Sequence, residues 1–250
     1  MDNLTSKEYW EKYYSKESKP ERNQIIHICS EFDKFWELLI ANNQTNPPKT
    51  IMEIGGYPGR YLAYLADKFD LIPTSLDYNS DKNKIEETFK VFDIKEYDII
   101  QTDIFNHKIE KQYDIVISNG FIEHFENFDE VLDKHSLYLK PGGTLFVLVP
   151  NMKYYIHFYK YLVDYKNLKI HNLKCMKKSV FQDFGKRNQL ETIKIEYYGG
   201  FPFSVHQELN FLQKIVFQGH RILSKKLLNS YFDKHPSKFF SSTLLAIYKK

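Results

Sequence analysis

At 250 residues the chain is long enough to bury one substantial core, with room for a small appended cap. Its net charge of +3 does not call for nucleic acid, the N-terminus MDNLTSKEYWEKYY carries no apolar secretion signal, and no run of about 18 uninterrupted apolar residues predicts a membrane-spanning helix. Cys29 and Cys175 offer neither a disulfide framework nor a metal-ligand spacing, so two reduced thiols, a cytoplasmic location and no metal are expected.

Residues 5–41 read as helical, with Trp10, Tyr13 and Tyr14 forming an aromatic face. Residues 1–46 are therefore expected as an N-terminal helical region. Asn42–Lys49, with Pro47 and Pro48, is the linker into a domain covering 47–250. Apolar runs then alternate with helical patterns. Strands are predicted at Thr50–Gly55, Leu71–Leu76, Tyr97–Gln101, Tyr113–Ser118 and Thr144–Val149. Helices are predicted between them at Arg60–Phe69, Asp81–Phe92 and Phe128–Leu139, the last stopped by Pro141-Gly142-Gly143. Two late strands are expected at Glu191–Tyr198 and Ser241–Tyr248. The pattern predicts an α/β fold: a doubly wound, mostly parallel, seven-stranded sheet with helices on both faces.

Two stretches exceed what simple connections need. Residues 151–181 hold seven lysines and one aspartate, and 199–238 hold six basic residues against two acids. Together they predict a basic, aromatic cap, with the rest of the chain acidic, and such a field attracts an anionic partner. Gln207–Leu228 has helical spacing, broken by Gly219, and is expected to bury its apolar residues inside that cap.

The chemistry concentrates at the predicted strand ends. The segment Thr50–Leu62, TIMEIGGYPGRYL, runs from a strand through an acid and a glycine-rich turn into a helix. Gly55, Gly56 and Gly59 remove side chains that would keep a ligand off the backbone. Asp77 closes the second strand, followed by Tyr78, where a carboxylate accepts hydrogen bonds from ribose hydroxyls. Asp103 and Ile104 follow the third strand, an acid and an apolar side chain suited to a purine. Asn119, Gly120, Phe121, Glu123 and His124 follow the fourth.

With these residues in this order, the chain resembles the class I S-adenosylmethionine-dependent methyltransferases. Glu53-Ile54-Gly55-Gly56-Tyr57-Pro58-Gly59 is similar to the family's cofactor loop, and Leu139–Leu145 to its Pro-Gly-Gly turn. The resemblance implies S-adenosylmethionine as cofactor, held by Glu53, Gly55, Gly56, Tyr57, Gly59, Asp77, Tyr78, Asp103, Ile104, Asn119, Gly120 and Phe121. Tyr57 stands where the family has glycine, which predicts that Gly56 takes the unusual backbone conformation. Tyr57 itself either packs over the cofactor's methionine part or points outward. The leading helix implies a lid in this family; the alternative is a helix docked on the sheet.

Methyl transfer needs a positioned nucleophile and an outlet for its proton. His124 is the candidate base, or else packs against the next helix. His157, His171, His206 and His220 fall in the two cap stretches, where they contact substrate or stay structural. Residues 171–203 look like the back half of methyltransferases that modify bacterial glycans and small molecules. The expected reaction is O-methylation of a small-molecule or sugar hydroxyl, such as a surface-polysaccharide precursor, with an anionic acceptor suited to the basic cap. An RNA or DNA methyltransferase is the alternative, opposed by the absence of an Asn/Asp-Pro-Pro-aromatic segment after the fourth strand. A non-catalytic, cofactor-binding interaction protein is another, using Gln207–Leu228 to dimerise or to rest on anionic lipid through Arg221, Lys225 and Lys226. Either a monomer or a homodimer is compatible. A dinucleotide oxidoreductase shares the turn, but Glu53 would face a pyrophosphate.

Overall fold

Short apolar strands separated by amphipathic helices bury themselves only as a layered sheet, and that is the architecture of the computed structural model. It describes residues 4–15, 19–78, 81–202, 205, 208–223 and 228–250. Three helices lead: α1 (Lys7–Tyr14), α2 (Arg22–Cys29) and α3 (Asp33–Ala41), with a 3₁₀ turn at Ser30–Phe32. Then follow β1 (Thr50–Ile54), α4 (Arg60–Phe69), β2 (Ile72–Asp77), α5 (Lys82–Lys90), β3 (Asp98–Gln101), β4 (Tyr113–Asn119), α6 (Phe128–Leu137) and β5 (Leu139–Pro150). The chain continues through α7 (Tyr154–Val163), α8 (Tyr165–Lys169), α9 (Lys178–Arg187), β6 (Glu191–Tyr198), α10 (Phe211–Leu223), α11 (Asn229–Lys234) and β7 (Thr243–Lys249).

The seven strands lie in the order β3-β2-β1-β4-β5-β7-β6. The pairs from β3 to β5 are parallel, and β7 runs antiparallel to both β5 and β6. Register aligns Glu53 with Ser75 and Ile117, which brings the C-terminal ends of β1, β2 and β4 to one edge. Parallel strands are buried on both faces, so β1 and β4 carry near-continuous apolar runs. One face packs against α6 and α9 through Val131, Leu132, Phe181 and Phe184. The other packs against α2, α3 and α4 through Ile25, Trp36, Leu62 and Leu65. Helices α2 and α3 therefore share their core with the sheet.

The linker is tied down rather than loose. Buried Asp114 accepts hydrogen bonds from the Lys49 and Thr50 backbone N–H groups, the Thr50 hydroxyl and Lys140 Nζ. These donors hold the Asp114 carboxyl well below the usual carboxylate range despite the opposing cost of burial. At the start of β5, beside Asp114, the expected break at Pro141-Gly142-Gly143 is instead part of the strand. Gly142 takes φ 78°, and a side chain on Gly143 would meet the Asp114 carbonyl at 2.8 Å. The register against β4 shifts there as an irregularity, and β5 begins at Leu139 rather than Thr144.

The two cap stretches do come together. Ile156, Tyr159 and Val163 of α7 pack with Phe201, Phe232 and Phe217 as a separate small core. The expected burial of the late helix is corrected here. Phe217 and His220 face this core, but Phe211 and Leu212 are 78% and 72% exposed, and Ile215, Val216 and Ile222 also face outward. The helix carries apolar residues on two faces and the cap covers only one. Gln207, His206 and residues 224–227, with Lys225 and Lys226, lie outside the described residues.

Candidate functional site

The turn after β1 is shaped by close approach. Gly55 takes φ 73° and Gly59 takes φ 87°, both in the left-handed region. The expectation for Gly56 is corrected: Gly55, not Gly56, carries the unusual backbone. Gly56 is required for space instead, because a side chain there would meet Ser75 Oγ at 2.8 Å and the Glu53 carbonyl at 3.0 Å. At Gly55 an added Cβ would lie 2.4 Å from the Phe121 ring. The turn is anchored to β2 by the Gly55 N–H, which donates to the Leu76 carbonyl at 2.9 Å. Gly59 then opens α4, whose Leu62, Ala63, Leu65 and Ala66 bind it to the sheet.

Above this turn is a cavity lined by Glu53, Gly55, Gly56, Tyr57, Gly59, Asp77, Tyr78, Asn119, Gly120, Phe121 and His124. All were expected at the site from the sequence. Asp103 and Ile104 lie instead around a small adjoining hollow with Tyr78, Phe121 and Phe125, so they are brought next to the main cavity rather than into it. Asp103 Oδ1 is engaged locally by the Phe105 N–H at 2.8 Å. Tyr57 is buried, packed edge-on against Tyr14 at 4.6 Å between ring centroids, and does not point outward.

Glu53 is fully enclosed. The Asn119 side-chain amide donates to its Oε1 at 2.8 Å. Burial, aided by the nearby Asp77 carboxylate, pushes the Glu53 carboxyl up to about 8 against the pull of that hydrogen bond. A buried acid so placed is stabilised by a cationic ligand group, which would return it to its charged form. The buried Asn119 Oδ1 has no hydrogen-bond partner, which leaves an acceptor unsatisfied beside Glu53. Two carboxylates, this orphaned amide oxygen and the apolar slot of Ile104, Phe121 and Phe125 together fit an amino-acid nucleoside such as S-adenosylmethionine. Glu53 and Asn119 would take its amino-acid end, Asp77 its ribose, and Ile104 with Phe121 its base.

Helix α1 covers this cavity. Ser6 caps it by accepting the Tyr9 N–H, and the Leu4 N–H donates to the His124 carbonyl at 2.9 Å. No residue of α1 is fully buried, and Tyr14 packs partly against the core beside α4. Trp10, Tyr13 and Tyr14 line the cavity. Trp10 meets the His124 ring edge-on at 4.9 Å.

A second cavity continues past His124 into the cap, walled by Tyr9, Trp10, Tyr13, Tyr61, Lys160 and His171. His124 sits in a buried 3₁₀ turn, Ile122–His124, and belongs to both cavities. Its Nδ1 is 2.9 Å from the Ile170 carbonyl. That acceptor fixes a proton on Nδ1 and leaves Nε2 with its lone pair. Burial and the neighbouring His171 pull the His124 imidazole down to about 3, so it is neutral at physiological pH. Nε2 lies 3.9 Å from Oε1 of Glu123. Glu123 is buried, its Oε2 has no hydrogen-bond partner, and burial raises its carboxyl to about 8.

Glu123, His124 and His171 are the grouping of potential metal-ligating side chains found among the described residues. Cysteine spacing had pointed to none. Sequence reasoning named His171 only as one histidine of the cap, because 46 residues separate His124 from Ile170, whose carbonyl ties it to this segment. It also missed the buried Lys160–Asp164 pair, 2.9 Å apart, which places an ammonium beside the second cavity. The i,i+4 spacing was the available signal.

Residues 26–188 match the family described as methyltransferase domain. The probable (S)-tetrahydroprotoberberine N-methyltransferase 2 of Papaver bracteatum is 26% identical over 161 residues, covering 62% of this chain and 45% of that protein. The chain thus spans about half the length of that curated relative. In fold it is similar to a SAM-dependent methyltransferase from Archaeoglobus fulgidus, at TM-score 0.59 and 15% identity, over 90% of this chain and 94% of that one. Coclaurine N-methyltransferase bound to N-methylheliamine and SAH superposes at TM-score 0.55 and 14% identity, over 87% of this chain and 72% of that one. With more than half its length matched, the chain belongs to the methyltransferase domain family, a class of enzymes that use S-adenosylmethionine.

Proposed function

We propose that the acceptor is a ring-bearing small molecule held in the second cavity, methylated on a hydroxyl whose proton is taken by His124. The observation that carries this reading is an imidazole at the junction of two cavities, with Nδ1 held by the Ile170 carbonyl and Nε2 3.9 Å from the Glu123 carboxyl. S-adenosylmethionine supplies a methyl group on a sulfonium, already activated for displacement. The chain's part is to align the acceptor and receive its proton. As the acceptor oxygen forms its bond to carbon, its proton becomes acidic enough for a weakly basic imidazole. Nε2 takes it, and the imidazolium that forms lies 3.9 Å from the Glu123 carboxyl oxygen. Aromatic walls from Tyr9, Trp10, Tyr13 and Tyr61 stack on an apolar ring face such as that of a sugar.

An amine acceptor is the second reading. It is favoured by the relatives named for N-methylation and by the buried Glu123 carboxyl, which suits a cationic nitrogen. Cytoplasmic action on a polysaccharide precursor belongs to the first reading.

Labelled S-adenosylmethionine offered with nucleotide sugars, lipid-linked sugars and cyclic amines separates the two, with products located by mass spectrometry. Transfer to the sugars supports the hydroxyl reading. Transfer to amines alone replaces it.

A further inference from the structure

Helices α7 and α10 lie side by side on the outside of the cap, joined where the Gln213 side-chain amide donates to the Leu162 carbonyl at 2.9 Å. On α10, Leu212, Ile215 and Ile222 fall on one helical face and are all exposed; on α7, Phe158 and Tyr161 are 60% and 56% exposed. Gly219 continues the α10 stripe, with nothing within 4 Å of where its side chain would be. A surface helix normally buries its apolar stripe and turns polar residues outward. Here the inner stripe, Phe217 and His220, is already packed on Tyr159 and Phe201, so the outer one is surplus to folding.

Charge selects what covers it. Lys214 and Arg221 are exposed on α10 itself, and Lys166 and Lys169 on α8, the helix that follows α7. The one acid between residues 151 and 181, Asp164, is buried against Lys160, and α10 has none. Two copies meeting face to face on a two-fold axis would bring these cations together with no acid of the shelf between them. An anionic bilayer meets both features: apolar and tyrosine side chains enter the headgroup boundary while lysine and arginine stay with the phosphates. No helix among the described residues is long and apolar enough to cross a membrane, so the arrangement suits a helix pair lying on the surface.

We propose that the α7–α10 face docks this enzyme on anionic membrane surfaces. The proposal does not depend on which acceptor is methylated. It places Lys160, on the inner side of α7, at the second cavity while the outer side of the same helix rests on lipid.

Co-sedimentation of the full chain with phosphatidylcholine vesicles, with and without roughly one-third phosphatidylglycerol, tests it. Binding is expected only to the anionic vesicles, falling as salt is raised. Leu212→Ser with Ile215→Ser removes exposed side chains only, and is expected to weaken that binding about tenfold or more with circular dichroism and S-adenosylhomocysteine binding unchanged. Lys214→Glu with Arg221→Glu is expected to abolish the preference for phosphatidylglycerol. Equal binding by the double-serine variant overturns the proposal. So does a failure of the wild-type chain to bind vesicles, including the case where it forms a dimer that the double-serine variant dissociates.

Discussion

Asp77 and His124 stand at the two ends of one problem: holding a cofactor and accepting a proton. Asp77 closes β2 at the rim of the first cavity, so Asp77→Ala is expected to weaken S-adenosylhomocysteine binding about ten- to a hundredfold, read by calorimetry. His124 contacts both cavities but makes its side-chain hydrogen bond to Ile170. His124→Ala is expected to lower kcat about a hundredfold, within the range for a lost general base, with cofactor affinity close to wild type. A large loss of affinity instead would assign His124 to binding. Gly55 is a steric test of the turn. Gly55→Ala forces a side chain into φ 73° and onto the Phe121 ring, at an expected cost of about 1–3 kcal/mol in denaturant titration. Adding Phe121→Ala is expected to relieve the clash and leave the backbone strain.

Among the elements, α1 is unusual because it contributes rings to the site while no residue of it is fully buried. Trp10→Ala is therefore expected to speed cofactor release about three- to tenfold while moving the thermal midpoint little; stopped-flow release and calorimetry measure the two. Strand β4 shows the opposite division. Its Asp114 lies at the N-terminal edge, remote from the cavity, and gathers Lys49, Thr50 and Lys140. Asp114→Ala strands four donors, part-buried, around one site, so about 1–3 kcal/mol of stability is expected to go with cofactor affinity retained. Most elements were legible in the sequence, because β1, β4, α4 and β6 pair strong periodicity with clear stops. The Pro141-Gly142-Gly143 stretch misled because turn residues also build bulges, and only the Gly143–Asp114 approach decides which.

At the scale of the molecule, buried titratable groups set a pH dependence. Glu53 and Glu123 hold protons in the fold up to about 8, above the ordinary 4.5, so stability falls as pH rises through that interval. His124 and His135 act oppositely. Their folded values of about 3 and about 4 lie below 6.5, so stability is lost as pH falls from 6.5. The slopes oppose one another between 4.5 and 6.5 and leave a net decline from 6.5 to 8. Denaturant midpoints across that range are expected to show the decline, and S-adenosylhomocysteine to flatten it by giving Glu53 a cationic partner. Proton release on binding, measured by calorimetry in buffers of different ionisation enthalpy, checks the same point.

The sequence alone determined the alternation of strands and helices, and hence a parallel sheet whose strand ends carry Glu53, Asp77 and Asn119 along one edge. Local periodicity and turn chemistry act within a few residues, so they are written directly in the chain. Tertiary structure decided the rest. It set His171 beside His124, turned Tyr57 inward beneath Tyr14, and assigned the positive φ to Gly55. It also left the outer stripe of α10 uncovered. Each of these depends on which surfaces meet across long separations, and periodicity shows that a face is apolar without saying what it touches.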